Sequence, residues 1–335
     1  MSKNIFEPRK NIKPYEYPQM IDFVNAIDDS FWTVRKFKFN KDLMEYEFDL
    51  TPLERSFVKR SMLAISHVEN KVKTYFAHID IRLPKPEIAF VGAKFAANEC
   101  THSLAYSQFL EDAGLNAEFE GLNDVPCMVD RTKYLTKYLE GTKSKDNKEF
   151  VKSHILFTLL VENISLYASF LCMSALKKYR QKMKTVGKVI QATAREEQLH
   201  TLFGLEIVKI IRSENPEWFD EEMEAKIRRN IRKAIQSEEK VMDWVFEEGE
   251  PSYLSKGEVM EYLKSRANDS LTLLGYESEY NIDPMLIKTS NFMNVMLKSK
   301  VTGDFFDEEL TDYNKNIDFK NENLFAQIQE KYGVK

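Results

Sequence analysis

At 335 residues, with 43% hydrophobic and 30% charged side chains, the chain can bury a substantial core and is too apolar for a disordered one. Its 11 glycines and 10 prolines are few for a turn-rich β fold, so a mostly helical protein is expected. A net charge of −5, with the signs interspersed, excludes a broad nucleic-acid footprint.

Residues 1–30 carry Pro8, Pro14 and Pro18 and are expected to wrap the surface as an arm; the polar start has no apolar run of a secretory signal. Thr51-Pro52-Leu53-Glu54 is a helix start, with an N-cap threonine, proline at the first helical position and an acid in the first turn. The helix it opens should run to Phe76 and place Met62, Ile65, Glu69, Val72 and Phe76 on one face. Glu69 interrupts that apolar stripe. After Pro84 and Pro86, a helix over 87–112 should stop at Gly114, and a shorter one over 128–139 should precede a hinge at Gly141. Further helices are expected over 148–179, 185–213, 218–247 and 255–273, and residues 314–335 read as a mobile tail. The run over 155–176 is long enough to cross a membrane, but Glu162 and Asn163 near its middle are costly in lipid. A buried core helix and no membrane partner are expected. Cys100, Cys127 and Cys172 are odd in number and widely spaced, which suits free thiols in a reducing, cytoplasmic setting.

The chemistry gathers on the helix over 87–112. Glu99, His102 and Tyr106 stand at i, i+3 and i+7, on one helical face, with Phe95, Leu104 and Phe109 as its other inward residues and Cys100 pointing away. Glu197 and His200 repeat the spacing downstream; Glu196, four residues before His200, competes with Glu197 for the same role. Chance makes such a pair cheaply in a glutamate-rich chain. More telling is that Glu69 and Glu162 also interrupt apolar stripes on two further long helices. One Glu from each of two helices and a Glu-x-x-His from each of two others is the arrangement of an all-α, ferritin-like bundle with a dimetal carboxylate centre. Glu69, Glu99, His102, Glu162, Glu197 and His200 are therefore the expected ligands. Their four carboxylates carry a charge that two divalent ions, iron or manganese, would neutralise. Tyr106 would lie beside them as a redox-active phenol, while His67, His78 and His154 lack such partners and read as structural.

These motifs resemble the small, radical-generating subunit of class I ribonucleotide reductase. Asn98-Glu99-Cys100-Thr101-His102 with Tyr106 is similar to that family's ligand pair and tyrosyl-radical site. Ile65-Ser-His-Val-Glu69 is similar to its first carboxylate, the stretch from Phe157 through Glu162 to Phe170 to its third ligand helix, and Ala194-Arg195-Glu196-Glu197-Gln198-Leu199-His200 to its last pair. The resemblance implies that the dimetal centre reacts with an oxygen species and oxidises Tyr106. The oxidising equivalent then passes to a separate large subunit that reduces ribonucleotides. It implies a relay through Trp32 and Glu196, the latter standing where many members carry Asp, and through Tyr313 in a C-terminal tail (301–335) that docks to the large subunit, with Tyr332 the rival position. Phe170 and Ile190 would shield the radical, and Thr193 makes its pocket more polar than usual. The helical domain would span 1–300, without a regulatory ATP-binding domain ahead of it. A homodimer is implied, with a flavoprotein as a candidate activator. The rivals are another dimetal oxidase or desaturase of the same fold and, in a different class, a metal-storage bundle. Neither needs a radical exported through Trp32 and Tyr313.

Overall fold

The computed structural model describes residues 3–298, and for residues 70–73 and 298 the backbone only; among the described residues every regular element is helical. The long helices are α1 (Met20–Asp29), α2 (Pro52–Ala77), α3 (Pro86–Asp112), α4 (Pro126–Gly141), α5 (Asn147–Arg180), α6 (Lys184–Glu214), α7 (Glu221–Val245) and α8 (Lys256–Leu273), with a short α9 (Asn291–Lys298). The tail, with Tyr313 and Tyr332, lies outside the described residues.

Helix starts follow local chemistry. Thr51 and Ser255 each form a reciprocal capping box, with Glu54 and Glu258 respectively, and Asp146 and Asp220 accept from the first free amides of α5 and α7. The start of α6 is capped from far away. Two non-glycine residues, Gln181 and Met183, take left-handed φ values of 55° and 54° in the tight connection from α5. The Met183 and Val186 amides then donate to the carboxylates of Glu45 and Asp42 at 2.7 Å each. The helical turn over 40–49 thus serves as a tethered anion at the positive end of α6.

Two expectations are corrected. Residues 20–29 form helix α1, which packs on α3 and α6 through buried Met20, Phe23 and Ile27, so the N-terminal segment is part of the fold rather than a surface arm throughout. The preceding stretch is pinned as well: Arg9 pairs with buried Glu87 at 2.7 Å. Leu104 faces outward and is 61% exposed, because at two residues from both His102 and Tyr106 it lies about half a turn from the line joining Phe95, His102, Tyr106 and Phe109.

The core is built from α2, α3, α5 and α6. Gly92 permits close passage of α3, since a Cβ there would come within 2.7 Å of the Phe76 carbonyl oxygen. Helix α5 is the one described helix apolar and long enough to cross a membrane, and its most apolar stretch is wholly buried in the bundle. It is not regular. From Phe157 to Ser165, around Glu162, the backbone widens into a π-helix, a distortion that recurs at functional sites. Two buried arginines brace this segment. Arg266 donates to the Asn163 backbone oxygen at 2.8 Å and to the Asn163 side chain, and stacks on Tyr167 at 3.6 Å. Arg131 donates to the Ser165 and Ala64 carbonyls and forms a two-pronged pair with Glu238, with both contacts at 3.0 Å. Arg131 and Glu238 are both fully buried, so removing one strands the other charge. Arg131→Met should cost about 3–5 kcal/mol in urea unfolding, and Arg131→Met combined with Glu238→Leu should recover most of it. An equal loss in the single and double variants would show that the charge pair is not what Arg131 supplies.

Candidate metal centre

Four helices deliver the six expected ligands to one place. Glu69 comes from α2, Glu99 and His102 from α3, Glu162 from the widened part of α5, and Glu197 and His200 from α6; all six are essentially inaccessible to solvent. Their donor atoms fall into two overlapping sets. In one, ligand atoms of Glu69, Glu99, His102 and Glu197 lie within 4.8 Å of one another; in the other, Glu99, Glu162, Glu197 and His200 do. Glu99 and Glu197 belong to both sets. The two sets could hold two cations, with Glu99 and Glu197 within reach of both and one further carboxylate and one imidazole on each side.

Both imidazoles turn the same nitrogen inward. His102 Nδ1 lies 3.0 Å from Glu197 and 3.7 Å from Glu69, and His200 Nδ1 lies 3.0 Å from Glu99 and 3.4 Å from Glu162. Burial, added to the neighbouring charges of Glu99 and Glu197, pushes the Glu69 carboxyl well above the usual carboxylate range. Burial and Glu197 do the same to Glu162. Burial also opposes ionisation of Glu197, but His200, Glu162 and His102 outweigh it and hold that carboxyl low. The histidines, disfavoured as cations by burial, are raised nonetheless by the acids around them. Among protein groups alone, protons are thus shared inside a cluster that concentrates negative charge.

Hydrogen bonding points to the same need. Both oxygens of Glu69, Glu99 and Glu162, one of Glu197, and His102 Nδ1 are buried without a hydrogen-bond partner. Each such atom costs about 1–3 kcal/mol unless something repays it. Seven acceptor oxygens and an imidazole nitrogen converging on one spot fit hard or borderline divalent cations, iron or manganese among them.

The outer contacts differ between the two sides. His102 Nε2 meets Glu196 Oε2 at 2.7 Å, and the Trp32 indole N–H donates to the same oxygen at 2.9 Å, while Ser30 donates to the other at 3.2 Å. Glu196 therefore spans the gap between His102 and Trp32 with its long side chain. Trp32 itself is 4% exposed and lies parallel to the His102 ring at 6.1 Å. His200 has no comparable acid and is enclosed by Phe95 and Phe76, at ring separations of 4.3 and 4.9 Å. Tyr106 is buried beside the first set. Burial, then the Glu69 charge, raises its phenol well above the ordinary range, and Thr193 is the hydroxyl facing it. Phe170, Ile190 and Leu166 are fully buried in the core. Cys100 is exposed and takes no part.

The sequence pattern did not reveal the π segment or its arginine braces. One signal was available: Arg131 interrupts the apolar stripe Met128, Leu135, Tyr138, and Glu238 interrupts Ile231, Ala234, Val241, complementary charges on two helices that pack together.

A family model described as ribonucleotide reductase, small chain, matches residues 9–288. The probable ribonucleoside-diphosphate reductase small subunit 048L of Invertebrate iridescent virus 3 is 22% identical, over 92% of this chain and 85% of its own length. Among solved structures, the R2 subunit of ribonucleotide reductase from Clostridium botulinum superposes with a TM-score of 0.77 at 18% identity, covering 89% of this chain and 99% of that one. A dimanganese(II) protein from Streptococcus sanguinis superposes with a TM-score of 0.71 at 14% identity, covering 85% and 99%.

Proposed function

We infer the role of the site from one premise: the chain belongs to the ribonucleotide reductase small-chain family, and is the radical-generating subunit of a ribonucleoside-diphosphate reductase that works with a large subunit. The observation that carries the residue assignment is the pair of overlapping ligand sets sharing Glu99 and Glu197. Glu69, Glu99, His102 and Glu197 would hold one ion, and Glu99, Glu162, Glu197 and His200 the other. Two bound ions, iron or manganese, supply one-electron oxidising power towards a nearby phenol after meeting an oxygen species. A flavoprotein is the proposed source of that species where dioxygen alone does not suffice.

The chain's own residues do the rest. Tyr106 is neutral in its buried pocket, so its oxidation releases a proton as well as an electron, and Glu69 is the acid whose charge it feels most. Tyr106 is itself 1% exposed, and the fully buried Phe170 and Ile190 are proposed to help keep out water, which would otherwise reduce or trap the radical. Glu196 fixes the His102 tautomer, because an oxygen that accepts from both Nε2–H and the Trp32 indole leaves Nδ1 free to face the ligand cluster. The Trp32–Glu196–His102 chain gives the oxidising equivalent a hydrogen-bonded route out, and Tyr313 in the tail is proposed as the next carrier towards the large subunit. The test is reconstitution. Metal-loaded protein exposed to an oxygen species should yield a radical EPR signal and reduce ribonucleotides only when the large subunit is added; turnover without that subunit would sink the assignment.

The same helix offers a dimer face. Ala93, Ala97, Cys100, Leu104 and Ser107 form an exposed, uncharged stripe of small residues around one leucine on α3. Such a stripe suits close packing against a second copy across a two-fold axis. Leu104→Lys should convert a dimer to monomers in light scattering with metal content unchanged, and a persistent dimer would place the contact elsewhere. The setting proposed is the cytoplasm, consistent with three cysteines that remain free.

A further inference from the structure

A second buried tyrosine lies on the other side of the cluster. Tyr75, on α2, is 6% exposed, and its hydroxyl is hydrogen-bonded to Nδ1 of His154 on α5, a side chain with no solvent access. The direction of that bond is fixed by the far side of the ring. His154 Nε2 lies 3.0 Å from the Gly204 carbonyl oxygen, which can only accept, so Nε2 carries the hydrogen. Burial lowers His154 to about 4, so the ring is neutral near pH 7, Nδ1 is an acceptor, and Tyr75 is the donor. Gly204 is part of this arrangement. A side chain there would collide with Thr158, so the absence of one lets α6 bring its carbonyl up to the imidazole.

The pair is also wired to the centre. The Tyr75 ring packs on Phe157 at 4.1 Å, just ahead of Glu162 in the π segment, and burial followed by the Glu162 charge raises its phenol well above the ordinary range. Phe76 bridges to the ligand shell, with its ring 5.1 Å from Tyr75 and 4.9 Å from His200. Tyr106 feels Glu69 and His102, on the first cation position; Tyr75 feels Glu162, on the second. The contrast is in proton management. The Tyr106 hydroxyl faces the Thr193 hydroxyl, which is no base, whereas the Tyr75 hydroxyl already points at one.

We propose that Tyr75 and His154 form a second redox-active site, in which Tyr75 is oxidised to a tyrosyl radical as His154 takes its proton. This rests on the dimetal reading above, since the oxidant is the oxidised metal pair. The step balances: one electron leaves the Tyr75 phenol and reduces the metal pair by one equivalent, the O–H bond breaks, and the proton moves from the phenol oxygen to Nδ1, giving an imidazolium that keeps its Nε2–H bond to Gly204. Among the described residues neither Tyr75 nor His154 hydrogen-bonds to Trp32, Glu196 or His102, so the site lies off that hydrogen-bonded route to the large subunit. It holds an oxidising equivalent that misses Tyr106. A surface pocket of about 330 Å³ lined by Tyr75, His78, Arg82, Thr142 and Lys143 gives a small reductant a way to discharge it.

The test uses the full-length Tyr106→Phe protein, loaded with iron or manganese, oxidised and freeze-quenched for EPR and ENDOR, with metal content measured on the same sample. The expected result is a tyrosyl signal that narrows with ring-deuterated tyrosine and shows an exchangeable coupling, lost in D2O, from the proton on His154. That signal should vanish when Tyr75→Phe is added. Normal metal loading with no tyrosyl signal, or a signal that survives in the double variant or lacks the exchangeable proton, overturns the Tyr75 assignment alone. Failure to load two ions overturns the dimetal reading and this inference with it.

Discussion

Replacing Glu197 by alanine should remove paired metal binding and reduce turnover with the large subunit to background. Glu197 is in both ligand sets, touches His102 at 3.0 Å and His200 at 3.2 Å, and is the carboxyl the surrounding groups hold most firmly ionised. Loss of an outer hydrogen bond to a metal ligand typically costs about 10–100-fold in affinity, so loss of a shared ligand should exceed about 10²-fold at both positions. The fold should survive, because the deletion also removes a buried charge. Equilibrium dialysis with manganese or iron measures the effect. Two ions bound per chain at near-native affinity would mean that Glu197 bridges nothing. Glu196→Ala is the instructive contrast: one residue away, Glu196 reaches the cluster only through His102 Nε2 and accepts from Trp32 as well. The variant should lower metal affinity by the smaller, about 10–100-fold amount, leave two ions bound at saturating metal, and still interrupt radical transfer.

The second large effect belongs to Tyr106. Tyr106→Phe should retain two metals and the native helix content yet lose turnover by about 10³-fold or more, the scale seen when a group that acts as part of a catalytic unit is deleted. The wild-type radical spectrum should disappear with it. Deleting one hydroxyl that makes no close hydrogen bond leaves packing almost untouched, so a stability change cannot account for such a loss. Full activity in this variant would show that the oxidising equivalent leaves the metals without passing through Tyr106.

Much of this site is legible in the sequence. Glu99 and His102 fall on one helical face by arithmetic alone, and Glu69 and Glu162 stood out because a carboxylate in an apolar stripe is costly without a partner. The helix starts at Thr51 and Ser255 were readable because a capping box is local. What was not legible depends on contacts distant in sequence. Residues 20–29 form a helix because α3 and α6 cover Met20 and Phe23, a stabilisation that proline-rich surroundings conceal. Leu104 is the exception: helical arithmetic alone puts it on the face opposite His102 and Tyr106, and a leucine's hydrophobicity disguises that. The π-helical widening at Glu162 has no sequence signature of its own. It is held by Arg131 and Arg266, arriving from α4 and α8. His154, read as structural for want of a neighbouring carboxylate, acquires chemical interest only because the fold brings it to Tyr75.

The central claim is that Glu99 and Glu197 are shared between two ions, one on the His102 side and one on the His200 side. Anomalous diffraction from crystals loaded with manganese or iron, recorded at the metal edge, tests it most directly. Two peaks should stand inside the bundle, both in contact with Glu99 and Glu197, the first also against Glu69 and His102 and the second against Glu162 and His200. A single peak, or peaks away from these six side chains, would contradict it.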